Sequence, residues 1–401
     1  MAVPTGAARS AGPTADGLVA PGYGAVADAF AAAVRDSPRG GAALAVTVGG
    51  ETVVDLWGGY ADVRSGTPWV GSTTSVLFSM TKGLVALLVA RLVEQGRVDL
   101  DAPVARYWPE FAQAGKGAIT VRQVMAHRAG LSHPVRDHTR DDLLRWDPVV
   151  EALAGQAPLW PPGSAHQYHA LTYGWLVGEI VRRVTGLPVG AAFAEHLAQP
   201  VGAEVWIGVP AAELARVAHL VPAPEFRLTL PEGVPNRVPF ERALTLGGAL
   251  PVEAAGDGTG LNDPALQRAE IPAGLGIGTA RAVASLWSSA VVGTPRTAPL
   301  PTGILDDMTV VRSSGRPVWG VPGLPEESWG TGFNVPSAPM PMLGATSFGH
   351  GGAGGQLSFA DRETGLALAF LTNDLQVVDD RRVPALVGAV RTALGRDGQP
   401  I

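Results

Sequence analysis

Ser79 and Lys82 stand three residues apart in "SMTKGL", at the head of the run "SMTKGLVALLVARLVEQG". Lys82 is one of only two lysines in the chain. Residues three apart on a helix share a face, so the amine comes within reach of the hydroxyl. A serine hydroxyl is a poor nucleophile until a base takes its proton. Lysine serves as that base only where burial or a nearby cation depresses its pKa. The apolar run supplies burial, and a serine at its start has backbone N–H groups and the positive end of the helix dipole close by. The same residues also read as an ordinary helix start, with Ser79 capping and Lys82 in water.

Tyr168, in "GSAHQYHALTYGWL", lies between a proline-rich loop and an apolar helix, where a side chain can project into a cleft. A tyrosine near a cation sheds its phenolic proton more easily and can relay protons. It reads equally as an amphipathic residue at a lobe surface. A third stretch, "GHGGAGG" at 349–355, lets a strand backbone approach a ligand closely, as an oxyanion-binding edge requires, or simply forms a tight turn or bulge.

Other chemistries fit less well. "GHGGAGG" matches neither phosphate-binding glycine pattern, and no G-x-S-x-G elbow is present, "ATSFG" around Ser347 having alanine where the first glycine belongs. His166 and His169 are three apart without an H-E-x-x-H motif, so no metal is expected. His127, His133 and His138 are read as loop hydrogen-bonding residues. The chain has no cysteine, which excludes disulfides, thiolate catalysis and cysteine-ligated zinc.

The elements that must position these residues follow from patterning. Residues 1–22 read as a loose arm, followed by a helix over 24–34. "AALAVTV" and "ETVVDLWGGY" form a hairpin about Gly49-Gly50, and the Ser79 helix, apolar nearly all round, belongs inside the protein and stops at Gly96. From 101 to 295, helical stretches such as "TYGWLVGEIVRRVTG" and "TARAVASLWSSAV" alternate with loops rich in proline and glycine. "TSFGHGG", "QLSFAD" and "LALAFLTN" return to strands, and a last helix covers 382–394. The expected architecture is an α/β (α+β) fold. Residues 1–100 and 296–401 build one discontinuous sheet domain, 101–295 form an inserted helix-rich lobe, and the site lies between the two.

At 401 residues, 46% hydrophobic and a formal charge of -6, the chain has the composition of a soluble globular protein without the basic face that nucleic acid requires. No window offers about 18 apolar residues without charge, so no membrane span is expected. The N-terminal stretch lacks a signal-peptide pattern, which points to the cytoplasm. Oligomeric state cannot be read.

The three motifs, in this order, resemble those of the serine β-lactamase and penicillin-binding-protein superfamily: S-x-x-K, a Tyr- or Ser-centred motif, then a Lys-, His- or Trp-led glycine motif on a strand. More narrowly, the chain is similar to the family VIII carboxylesterases, which share the class C β-lactamase-like fold. The likeness extends through "YWPEFAQAGKGAITVRQVMAHRAGL", "WPPGSAHQYHALTYGWLVGEIVRRVTG" and "FGHGGAGGQLSFADRETGLALAFLTN". It implies an antiparallel sheet flanked by N- and C-terminal helices, no cofactor, and a small-molecule ester as substrate. It implies Ser79 as the acylated nucleophile, Lys82 and Tyr168 as its proton-transfer partners, and the backbone N–H groups of Ser79 and Ala353 as the oxyanion hole. His350, Gly351, Gly352 and Ala170 would line the substrate pocket.

Two departures bear on the branch. The lactam-active pattern carries Tyr-x-Asn at the second motif, where this chain has Tyr168-His169-Ala170, and alanine offers no amide. Its third motif begins with lysine, which attracts a carboxylate; His350 takes that place and is largely neutral at pH 7. Both favour a neutral ester. The alternatives are acyl transfer from the same acyl-enzyme, β-lactam or D-amino-peptide hydrolysis, and a non-catalytic binding protein.

Overall fold

The hairpin expected at Gly49-Gly50 is the start of the main sheet in the computed structural model, which describes residues 15–324, 326–340, 342–377 and 379–396. Strands β2 (Gly41–Val48) and β3 (Glu51–Asp62) pair across it. The short strand β4 (Thr67–Pro68) pairs with β3. From the far end of the chain come β5 (Ser328–Trp329), β6 (Asn334–Val335), β7 (Ser347–Gly352), β8 (Gln356–Asp361) and β9 (Leu366–Thr372). With β1 (Asp16–Val19) at one edge, the order is β1-β3-β2-β9-β8-β7-β6-β5, antiparallel throughout.

Residue alternation sorts the two faces. Ala42, Leu44 and Val46 of β2, with Leu366, Leu368 and Phe370 of β9, face a core shared with Val26, Phe30, Leu386 and Val390. Those last four belong to the terminal helices α1 (Gly24–Arg35) and α5 (Arg382–Ala393), which pack on each other. The intervening Ala43, Ala45, Ala367 and Ala369 face the other core, where small side chains let helix α4 (Ala280–Val291) lie close across β2, β8 and β9. Both faces are covered, which is why these strands read as unbroken apolar runs. α4 belongs to the 101–295 segment by sequence, yet it packs on the sheet.

Helix α2 (Met80–Glu94) is buried at every position from Met80 to Leu92, as its all-round apolarity requires. It tolerates Gly83 because a Cβ there would lie 2.9 Å from Trp287 Cζ2 and 3.1 Å from His350 Cβ. Helix α3 (Thr172–Thr185) ends at Gly186 in the left-handed region. A three-stranded sheet of Ser75–Val76, Gly276–Gly278 and Val205–Ile207 sits just before α2 and has no counterpart in the sequence reading.

The loose arm needs correction. Residues 1–14 lie outside the described residues, but Asp16–Val19 pair residue for residue with Val54–Trp57 of β3. All four are exposed, so backbone pairing at a sheet edge forms the strand without the apolar alternation that would announce it. Among the described residues, no helix is long and apolar enough to cross a membrane.

Candidate active site

The backbone delivers Ser79 through a strained turn. Phe78 has φ +47°, a conformation that costs about 1–3 kcal/mol for such a residue. Two elements hold it. Leu77 N donates to Gly276 O at 2.8 Å, and Thr81 Oγ1 donates to Phe78 O at 2.6 Å while accepting from Gly276 N at 2.9 Å. Ser79 thus sits at the N-cap of α2, half-buried, and its side chain caps nothing. The capping alternative is thereby removed.

Ser79 Oγ instead receives two hydrogen bonds, from Lys82 Nζ at 3.1 Å and from the Tyr168 hydroxyl at 2.7 Å. Lys82 does not point into water: it is 1% exposed, its Nζ also donates to Ala273 O at 2.7 Å, and it lies 4.8 Å from the Tyr168 ring centre. Burial holds its pKa well below the ordinary lysine value, against the opposing pull of the Glu327 carboxylate. A neutral amine has a lone pair that can take the Ser79 proton across the same contact.

Tyr168 departs from expectation. Burial raises its phenolic pKa, and the bond to Ser79 only partly opposes this. The expected easing of its ionisation by a nearby cation is not met: burial dominates and keeps the phenol protonated, so Tyr168 is a neutral hydrogen-bond donor. Trp329 stacks on it at 5.6 Å and 14°, and the His127 ring meets it edge-on at 4.9 Å.

The glycine stretch makes both a close backbone approach and a turn. A Cβ on Gly352 would lie 2.8 Å from Leu77 O and 3.2 Å from Met80 Cγ, so β7 runs hard against the turn that carries Ser79. Ala353 follows at the exposed start of the β7–β8 turn. His350 is buried, and burial, with Lys82 adding to it, pushes its pKa down to about 3. Its Nδ1 donates to Gly351 O at 2.7 Å, leaving Nε2 an acceptor without a partner. Gly351 N is already taken, donating to Asn334 Oδ1 at 3.2 Å. Ala170 is buried beside the second motif and carries no polar group.

The remaining histidines divide. His169 Nε2 accepts from Leu131 N at 3.1 Å while its Nδ1 lies 2.6 Å from Gln167 O, and His127 Nδ1 accepts from His169 N at 3.2 Å. His133 Nδ1 meets Ser132 Oγ at 3.2 Å. His138 corrects the expectation of loop bonding: among the described residues neither ring nitrogen has a hydrogen-bond partner, and Asp142 Oδ2 is 3.7 Å away. Among the described residues, no group of three or more His, Cys, Asp or Glu side chains is placed to hold a metal ion.

Four groups around the site escaped sequence reading: the Ala273 carbonyl, Trp329, Glu327 and Asn334. Glu327 Oε2 accepts from Asn334 Nδ2 at 3.1 Å. "ESWGTGFN" carries no periodicity, since β5 and β6 are two residues long, and a backbone carbonyl leaves no mark in a sequence.

Comparison with known proteins places the fold in a family. The Beta-lactamase family model matches residues 26–391. The chain is 34% identical to the esterase/beta-lactamase LipL of Mycobacterium tuberculosis over 376 residues, 90% of this chain and 83% of LipL. A family VIII carboxylesterase of known structure superposes with a TM-score of 0.84 at 34% identity, covering 94% of this chain and 99% of that one. A penicillin-binding protein homolog from Caulobacter crescentus superposes with a TM-score of 0.81 at 35% identity, covering 94% and 99%. The chain belongs to the β-lactamase family, with the class C and family VIII esterase fold.

Proposed function

We propose that the protein is a serine carboxylesterase that hydrolyses small esters through an acyl-enzyme at Ser79. The observation that carries this reading is the convergence of the Lys82 amine and the Tyr168 hydroxyl on one Ser79 oxygen at a helix N-terminus. Ser79 Oγ attacks the ester carbonyl carbon as its proton passes to neutral Lys82. The tetrahedral oxyanion is met by the backbone N–H groups of Ser79 and Ala353, each such donor being worth about 3 kcal/mol of barrier. The C–O bond to the alcohol then breaks, with the proton returned to the leaving oxygen from Lys82 through Tyr168. Water repeats the sequence on the acyl-enzyme, releases the acid and restores Ser79. Lys82 and Tyr168 share one hydrogen-bonded oxygen, so they act as a coupled pair.

The neutral His350, Gly351, Gly352 and Ala170 would line a pocket without a fixed cation, which suits a neutral ester better than a carboxylate-bearing lactam. Relatives named as esterases, LipL and EstB of Burkholderia gladioli among them, support the reading. LipL is named for both activities, which favours weak β-lactam cleavage as the second reading. The test is p-nitrophenyl butyrate hydrolysis by the parent and Ser79→Ala, with a chromogenic cephalosporin alongside. Ester turnover abolished in the variant, with the cephalosporin barely cleaved, is the expected result. A variant as active as the parent would contradict the mechanism, and fast cephalosporin cleavage would move the protein to the lactamase branch.

A further inference from the structure

The charges around Ser79 are one-sided. Lys82 is held toward its neutral form by burial, and His350 stays neutral with Nε2 as an acceptor. No arginine contributes to the electrostatics of Lys82, Tyr168 or His350 among the described residues. The carboxyl group that acts on both Lys82 and Tyr168 is that of Glu327; burial raises its own pKa, while the hydrogen bond from Asn334 and the nearby Lys82 favour its charged form.

Its placement is fixed by the sheet. Glu327 immediately precedes β5, two residues before Trp329, so the two side chains share a face. Trp329 lies flat on Tyr168, which puts Glu327 on the cleft side of the strand. Asn334, the cross-strand neighbour of Trp329, ties it in place: Nδ2 donates to Glu327 Oε2 and Oδ1 accepts from Gly351 N. The other oxygen, Oε1, accepts no hydrogen bond among the described residues, and it is not enclosed. A half-buried carboxylate with one oxygen pinned and the other free, beside a nucleophile with no standing cation, is a receptor for positive charge.

We infer that Glu327 selects esters that carry an ammonium group within a few atoms of the scissile carbonyl, and turns away those that carry a carboxylate there. This rests on the esterase reading above. The ammonium can sit on the acyl chain or on the alcohol, and matched pairs separate the two. On the acyl side, p-nitrophenyl 3-aminopropanoate replaces the terminal methyl of p-nitrophenyl butyrate by an ammonium. On the alcohol side, butyrylthiocholine is compared with its neutral isostere S-(3,3-dimethylbutyl) thiobutyrate. Thiol release is read without background because the chain has no cysteine. The anionic probe is p-nitrophenyl hydrogen succinate.

In at least one pair the cationic ester should have the higher kcat/KM, by about tenfold or more, the range of a hydrogen-bonded charge. The succinate should be the slowest of the acyl-side probes. Glu327→Gln keeps an acceptor for Asn334 and should collapse the ratio toward one whatever happens to the absolute rates. Glu327→Asp should keep the preference. Equal or lower kcat/KM for the cationic member of both pairs, or a ratio unchanged in Glu327→Gln, overturns the inference while leaving the esterase standing. Failure to hydrolyse any ester overturns both.

Discussion

The chain has two lysines, and the fold buries both, at opposite ends of helices and to different degrees of effect. Lys82 lies in the first turn of α2, where the helix dipole is positive and disfavours an ammonium. Among the described residues it has one carbonyl acceptor, Ala273 O, and its other hydrogen-bond partner is the Ser79 hydroxyl. Lys116 lies at the C-terminal end of the helix Asp147–Gly155, where the dipole favours a cation. It donates to Ala154 O at 2.9 Å, Gln156 O at 2.5 Å and Gln113 O at 2.9 Å, using all three of its hydrogens. Burial draws its pKa down, but only to about 8. Lys82 is the more deeply enclosed of the two amines, and the scarcity of carbonyl acceptors for its charged form acts in the same direction; Lys116 is the control that the molecule supplies.

The largest expected effect is on activity. Lys82→Met should lower kcat/KM for p-nitrophenyl butyrate roughly 10²- to 10⁴-fold, the range for loss of a general base. Lys116→Met, assayed in the same way, should stay within a few-fold of the parent. An equal loss in the two would erase the distinction.

Stability should reverse that ranking. Lys116→Met strands carbonyls at a helix end and should cost about 1–3 kcal/mol in denaturant unfolding. Lys82→Met removes an amine whose charged form the fold rejects, and should melt no lower than the parent. A Lys82→Met protein less stable than Lys116→Met would mean that Lys82 is the structural residue of the two.

Sequence reading picked out Lys82 for one reason: it follows a serine at helical spacing on an apolar run. The Lys116 motif carries no such partner, and its three carbonyls are backbone groups from segments forty residues apart. The same division holds for the whole site. Ser79, Lys82, Tyr168 and the strand of His350 were legible because each sits on or beside an element with a period. Glu327, Asn334 and Trp329 were not, because strands of two residues have no period and their partners come from pairing across the sheet. The edge strand Asp16–Val19 was hidden because all its residues face water, and the strained Phe78 because nothing in residue type announces a positive φ.

A smaller effect concerns pH. The folded-state pKa of Lys116, about 8, lies below its ordinary value of 10.5, so between these limits the unfolded chain binds more protons than the folded one. Stability contributed through this group should rise as pH climbs from about 8 toward 10.5 and be level below 8. The rise should be weaker in Lys116→Met, as urea midpoints across that range would show; identical slopes would count against a buried, shifted Lys116.

The smallest expected change is at the support of the Ser79 turn. Thr81→Val removes the hydroxyl that joins Phe78 O to Gly276 N and should lower kcat several-fold with little change in KM. A change in KM alone would place Thr81 in substrate binding instead of in holding the nucleophile.

One measurement reads the comparison directly. With only two lysines, protein labelled with 13C at lysine Cε gives two side-chain signals, assigned by Lys116→Met and followed through a pH titration. The account predicts that the Lys82 signal titrates far below 10.5 and below that of Lys116, so that Lys82 is the neutral amine of the pair near pH 7. A Lys82 midpoint at or above that of Lys116 would contradict it, because the amine beside Ser79 would then be an ammonium with no lone pair to offer.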